Sequence, residues 1–271
     1  MPELPEVESI AASLRRRAVG LTIAGTELLW PKLLRGGAAG LASLRGKAVT
    51  AVGRRGKHLL LVCGDRVLVF HLRMTGRFLW ARSGAPLGKH VRFVLRFHGS
   101  GRELRFEDAR KFGFLRCVPG AELASCVELA GLGPEPMEIS PEQFTARLGG
   151  RKGRVKSVLL DQAFVAGIGN IYADEMLFDA GIHPRASAAR LSGPRTQKLW
   201  ASMRGVLGRA LAAGGSTVRD YRDADGEAGS FQNEHRVYGR AKQPCPRCGR
   251  PIKRETIGGR GTHYCPSCQR R

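Results

Sequence analysis

The sequence lacks any apolar run approaching the roughly 18 residues that a membrane helix needs, so no segment is read as crossing a bilayer. Its first twenty residues lack the basic start and apolar stretch of a secretory leader, and the chain is read as soluble and cytoplasmic. No internal repeat is present. Acidic residues are scarce beside basic ones: 23 Asp and Glu stand against 45 Lys and Arg, a formal net charge of +22. That excess points to a polyanionic partner, with nucleic acid ahead of an anionic membrane surface. A disulfide framework is not expected for the seven cysteines of an intracellular chain. Cys63, Cys117 and Cys126 stand alone and are read as packing residues.

The 271 residues suffice for two domains, or for one plus a small module. Val7, Ile10, Ala11, Leu14 and Ala18 recur at helical spacing, with Ser9, Ser13 and Arg16 off that stripe. Proline is tolerated only in a first turn, so the helix starts between Pro2 and Pro5. From about 47 to 118 the period changes to two. "RVLVFHLR" (66–73), "HVRFVLRF" (90–97) and "RELRF" (102–106) read as strands of a β-sandwich with one buried face. "GLGPEP" (131–136) is a linker signal. Helical patterns follow at 141–148, 154–161, 170–180 and 195–213. Residues 214–232 look too polar and glycine-rich to pack, and a loop of that length is usually functional or disordered. The expected organisation is α+β and multidomain: 1–130, the linker, 137–232 including the loop, and a small unit 233–271.

That last unit carries "CPRC" (245–248) and "CPSC" (265–268). Two C-x2-C knuckles suit one tetrahedral Zn2+, so Cys245, Cys248, Cys265 and Cys268 are expected to hold a single structural ion with no open position for catalysis. The unit also holds ten Lys and Arg against two Glu, which reads as a nucleic-acid contact; a ribbon that only stabilises the C-terminus is the plainer alternative.

The first eight residues, "MPELPEVE", hold three acids and no base. Removal of Met1 would expose the secondary amine of Pro2. An α-amino group titrates near 7.7–8.0, so a useful fraction is neutral and nucleophilic. If helical spacing extends back to Glu3, its carboxylate points into the protein and can move protons. Proline and glutamate also suit an ordinary first turn, and periodicity alone favours that plainer reading.

"PELPEVE" (2–8), "GKHL" (56–59), "HLRMTG" (71–76), "ARKFG" (109–113), "GIGNIYADE" (167–175), "VYGR" (237–240) and the two cysteine pairs occur in this order. Together they closely resemble bacterial formamidopyrimidine-DNA glycosylases, the MutM type of the Fpg/Nei family, from Pro2 to nearly the last residue. The resemblance implies an N-terminal helix on a β-sandwich, a helix–two-turn–helix domain and a C-terminal zinc ribbon, with damaged double-stranded DNA bound by a monomer. It implies excision of 8-oxoguanine and formamidopyrimidines followed by β,δ-elimination. Carried over by position, Pro2 is the nucleophile and Glu3 the general acid/base, with Glu6 in support. Lys57 assists β-elimination, and Arg260 binds phosphate and assists δ-elimination. A flipped base leaves a hole, which Met74, Arg110 and Phe112 would fill. His90, Arg151, Lys156 and Asn170 match other DNA contacts, and the loop 214–232 matches the one that closes over the base. Two departures are His58, where the family usually has an aromatic, and "EDARKFG" for the commoner "DPRRFG".

Two other readings compete. A Nei-type enzyme for oxidised pyrimidines would share Pro2 and Glu3, but that branch typically lacks the Arg110–Phe112 pair. A non-enzymatic zinc-ribbon protein that binds nucleic acid accounts for charge and cysteines but leaves the N-terminus unexplained.

Overall fold

Pro5 has no backbone N–H to donate, so it belongs in a first helical turn. The computed structural model, which describes residues 1–217 and 221–271, places it second in α1 (Leu4–Ala18), with Glu3 as an extended N-cap. The stripe Val7, Ile10, Ala11, Leu14 and Ala18 is buried throughout. The projection of Glu3 onto that stripe fails, because φ −102° and ψ −169° take it out of the helix. Glu3 is buried all the same, through its place at the cap.

The β-strands follow as β1 (Ile23–Leu28), β2 (Leu34–Arg35), β3 (Val49–Arg55), β4 (His58–Cys63), β5 (Arg66–His71), β6 (Gly76–Arg82), β7 (Val91–Phe97), β8 (Arg102–Asp108) and β9 (Phe114–Pro119), with a short α2 (Ala39–Ala42) between β2 and β3. They form an antiparallel sheet in the order β1-β7-β8-β6 and a second sheet, β2-β9-β5-β4-β3, in which β2 runs parallel to β9. Phe70 of the second sheet meets Phe78, Phe93 and Phe106 of the first at ring-centroid distances of 5.0, 5.9 and 5.6 Å, so the two sheets share one aromatic core. α1 lies against β3 and β4. The expectation of a single buried face is incomplete. Arg105 on the other side of β8 is buried too, because Glu103 and the carbonyls of Ala85 and Pro86 take its guanidinium at 2.7, 2.6 and 2.9 Å.

Beyond the linker come α3 (Pro141–Gly149), α4 (Val155–Leu160), α5 (Asn170–Ala180) and α6 (Gly193–Ala212), then the hairpin of β10 (Lys253–Ile257) and β11 (Arg260–Tyr264). Ser140 and Gln143 cap α3 reciprocally, each side chain accepting the other's backbone N–H at 3.2 Å. Phe144, Phe164, Tyr172, Met176, Leu199 and Met203 are among the buried side chains that join these helices. A smaller cluster, Phe178, Val237, Cys245, Ile252 and Cys265, seats the cysteine-bearing segment on α5.

The chain divides into two compact units: Met1–Ala130 with Gly214–Ser230, and Gly131–Ala213 with Phe231–Arg271. The cysteine-bearing tail therefore shares a unit with the helices. The segment 214–230 groups with the sandwich, where the sequence reading had placed 214–232 in the helical domain. Nor is it too polar to pack. Ser216, Ala224 and Gly229 are buried, and Ala224 joins the sandwich core. Polar residues on α1 supply the partners that its own composition lacks. Positions 218–220 of this loop lie outside the described residues.

Candidate active site and metal centre

Glu6 organises the start of α1. One carboxylate oxygen accepts the Glu3 N–H at 2.7 Å, and the other accepts the Ser216 N–H at 2.6 Å. Its place in the first turn suits the helix dipole. Glu3 and Glu6 are 3% and 2% exposed. Pro2 is half-buried next to them, and its nitrogen is in peptide linkage to the exposed Met1. Gly215 permits the close approach of the distant segment: a Cβ there would stand 2.7 Å from the Glu6 carboxylate, and its φ is +84°.

β3 and β4 pair Arg55 with His58, which leaves Gly56 and Lys57 as the turn. Gly56 has φ +55°, as a type II′ turn requires at its first central position. Lys57 is buried at this turn. An ion pair of Arg54 with Glu8 at 3.1 Å fastens the end of β3 to α1. Behind the turn, the His58 and His71 rings stand edge to face at 4.7 Å, and both meet Phe114. Burial pushes His58 down to about 4. Burial, then the neighbouring His58 and the charges of Arg73 and Lys57, push His71 down to about 2. Both rings are therefore neutral near pH 7, and they form an uncharged floor beside Lys57.

Met74 lies in the β5–β6 turn and Arg110 and Phe112 lie in the β8–β9 turn. Met74 is 46% exposed and Phe112 53%, so neither is a core residue. The two turns share one anchor, the fully buried Asp108. Its carboxylate accepts the Thr75 hydroxyl, the Arg110 N–H (3.2 Å) and the Gly113 N–H (2.7 Å). Arg73 and Lys111 take positive φ in these turns, 53° and 58°, a strain that buried anchoring can sustain. The Arg110 guanidinium lies 4.7 Å from the Phe112 ring centroid. His90 is half-buried, and its carbonyl accepts the Asp108 N–H at 2.9 Å. Sequence reasoning did not single out Asp108; the signal was an Asp two residues before a turn residue, the Asx-turn pattern.

In the second unit, Asn170 opens α5 and donates its amide to the Gly261 carbonyl at 2.8 Å. Arg260 is exposed beside it in sequence, just after the Gly258–Gly259 turn. Arg151 is ion-paired to Asp161 at 3.0 Å and partly exposed. Lys156 departs from the expectation of a DNA contact. Its side chain is wholly buried, with Nζ 2.6 Å from Asp174, 2.7 Å from the Thr262 hydroxyl and 3.3 Å from the Gly261 carbonyl. A buried carboxylate needs a countercharge, and Asp174, which also accepts the His263 N–H at 2.8 Å, claims this one. Lys156 therefore supports the Arg260 hairpin from within.

The four cysteine sulfurs lie within 4.8 Å of one another. Cys245–Cys268 and Cys248–Cys265 are separated by 3.9 and 3.5 Å. A tetrahedral ion with Zn–S bonds of about 2.3 Å sets sulfurs about 3.8 Å apart. No disulfide joins them. The N–H groups of Arg247 and Cys268 point at the sulfurs of Cys245 and Cys265, both at 3.4 Å. The donor set fits a structural metal ion.

Comparison with known proteins places these features in context. Residues 1–115 match the formamidopyrimidine-DNA glycosylase N-terminal domain, 132–222 match the formamidopyrimidine-DNA glycosylase H2TH domain, and 242–271 match a zinc finger found in FPG and IleRS. The chain is 45% identical over 275 residues to a formamidopyrimidine-DNA glycosylase of Geobacillus kaustophilus, with 100% of each covered. It is 42% identical to one of Bacillus subtilis, with 99% of each covered. Among solved structures, it is similar to a Lactococcus lactis FPG mutant in complex with a Fapy-dG containing DNA, at a TM-score of 0.94, 36% identity and 100% of each chain. It is also similar to MutM in complex with carbocyclic 8-oxo-G containing DNA, at a TM-score of 0.93, again with 36% identity and full coverage.

Proposed function

This chain belongs to the formamidopyrimidine-DNA glycosylase family, and from that premise we propose that Pro2, freed of Met1, is the nucleophile with which it removes oxidised purines from duplex DNA. The protein is a DNA glycosylase of base-excision repair; a pyrimidine-directed, Nei-type activity is not favoured by its relatives. The observation that carries the nucleophile assignment is the buried Glu3 next to Pro2, fixed through its backbone by Glu6. A carboxylate so placed can move protons at a sugar bound to Pro2.

In the proposed sequence, the neutral Pro2 amine attacks C1′ of the extruded nucleotide. The glycosidic bond breaks, and the base leaves with the bonding electrons and takes up a proton. Glu3 protonates the ring oxygen, the sugar opens, and an iminium joins Pro2 to C1′. Loss of a C2′ proton expels the 3′ phosphate; a second elimination expels the 5′ phosphate. Lys57 serves the first elimination and Arg260 the second, each contacting phosphate. Met74, Arg110 and Phe112 occupy the vacated stack, with Arg110 bonding the orphaned base. Arg151, His90 and Asn170 grip the backbone, and segment 214–232 covers the extruded base. Cys245, Cys248, Cys265 and Cys268 hold one Zn2+, which stabilises the tail and takes no part in the chemistry. The partner is damaged double-stranded DNA, bound by a monomer in the bacterial cytoplasm.

Borohydride trapping tests this reading. Duplexes carrying 8-oxoguanine opposite cytosine should give a covalent adduct that maps to Pro2, and oxidised-pyrimidine duplexes a weaker one. No adduct from protein with Met1 removed and metal bound would refute the assignment.

A further inference from the structure

α1 has a second face. Glu6, Ser9, Ser13, Arg16 and Arg17 recur at helical spacing along one flank of its apolar stripe, and the described residues of segment 214–230 are fastened along them in order. The Ser216 N–H meets the Glu6 carboxylate at 2.6 Å, and the Tyr221 hydroxyl donates to the Glu6 carbonyl at 3.0 Å. Further along, Asp225 is ion-paired with Arg16 at 2.9 Å and with Arg17. Ala224, between these anchors, is buried. Asp223 shapes the turn that presents Asp225: its carboxylate accepts the N–H groups of Asp225 and Glu227, both at 2.9 Å. Burial alone would raise the Asp225 carboxyl, but the Ser13 hydroxyl and the Arg17 and Arg16 guanidinium groups hold it below the usual carboxylate range.

We propose that this polar face of α1 is a dock for segment 214–230, and that Asp225 is the positioning residue that keeps the segment in register with Glu3 and Pro2 during base removal. The inference rests on the glycosylase reading above. Glu6 secures the near end of the segment and Glu3 through one carboxylate. It cannot hold the far end, which is anchored two turns and more along α1 by Asp225. Without that anchor the far end swings while the near end, and the proline, stay where they are. The step that suffers is the one in which a base is present. A sugar that has already lost its base makes no demand on the segment.

The test compares wild type with Asp225→Asn, using hydrogen exchange of the amides of 221–230 and single-turnover cleavage of two duplexes. One carries 8-oxoguanine opposite cytosine and the other an abasic site. Exchange in the segment should quicken, base removal should slow about tenfold, and abasic-site cleavage should stay within about twofold of wild type. Reversing the charges in Arg16→Glu/Arg17→Glu should reproduce the defect, and adding Asp225→Lys to that pair should restore much of the rate. Unchanged exchange overturns the dock. Quickened exchange with unchanged base removal, or with an equal fall on both duplexes, overturns the positioning role. Failure of wild type on the 8-oxoguanine duplex would instead overturn the proposed function, and exchange alone would then decide for or against the dock.

Discussion

Asp108 in the first unit gathers the N–H groups of Arg110 and Gly113, and Glu175 in the second gathers those of Arg236, Val237 and Tyr238 at 2.9, 2.9 and 2.8 Å. Both are buried carboxylates that organise a turn through its backbone. What stands behind them differs. Asp108 ends a strand of a sandwich whose two sheets share a large aromatic core. The chain that Glu175 receives leads into a tail that contributes four side chains, two of them cysteines, to a small cluster against Phe178 of α5. A core that small does not hold a fold by itself; four thiols converging on one point can, once a metal joins them. The comparison separates a sandwich with a large core of its own from a tail whose few buried side chains need a further cross-link.

The sharpest way to break this contrast is to remove the metal. Structural zinc contributes about 10–16 kcal/mol of apparent binding free energy in small domains. Chelation should therefore abolish amide protection in β10 and β11 and leave β5 and β8 protected. Equal loss in the sandwich and in the tail would erase the distinction. Next is the buried ion pair of the second unit. Lys156→Met leaves Asp174 uncompensated and should cost roughly 3–5 kcal/mol in denaturant unfolding, and Lys156→Met/Asp174→Leu should recover part of it. In the first unit, Glu3→Gln should slow base removal about 10²–10⁴-fold, while duplex binding, measured by titration, changes little. A matching loss of binding would show that Glu3 is structural.

The smallest effect is one of pH. Above 6.5 the His58 ring is neutral in both folded and unfolded chains; below it the unfolded chain takes up a proton that the buried ring refuses until about 4. Stability contributed by the neutral ring is thus full above 6.5 and declines with falling pH across that window, by about 1.4 kcal/mol per pH unit. His58→Phe keeps the ring contacts with His71 and Phe114 and should flatten the acid limb of the stability curve by that slope. An unaltered limb would mean that His58 is protonated in the folded protein.

Some of this was legible in advance because it is local. The spacing of Val7, Ile10, Leu14 and Ala18 names a helix and its buried side, and alternation through 91–97 names a strand. Ser9, Ser13 and Arg16 stood off the apolar stripe with no evident partner. The partner is a segment some two hundred residues away, and no periodicity in either stretch points to the other. The same distance hid the fate of Lys156. Its sequence position suggested a DNA contact, while Thr262 and Asp174, which surround its ammonium, lie far along the chain. Segment 214–230 was misjudged for a related reason: its composition shows that it cannot bury itself, not whether another element will bond to it.

By itself, the sequence determined the helices and strands, the two thiol knuckles with their metal-ligand spacing, and, through a set of short motifs, the family. These depend on contacts within a few residues or on residue types in fixed order. The tertiary structure alone decided that Glu3 is buried as a cap and not as part of a helical stripe, that Lys156 faces inward, and that the loop lies along α1. Each depends on which polar group finds a partner once water is excluded. That partner is supplied by folding, from parts of the chain that do not neighbour it in sequence.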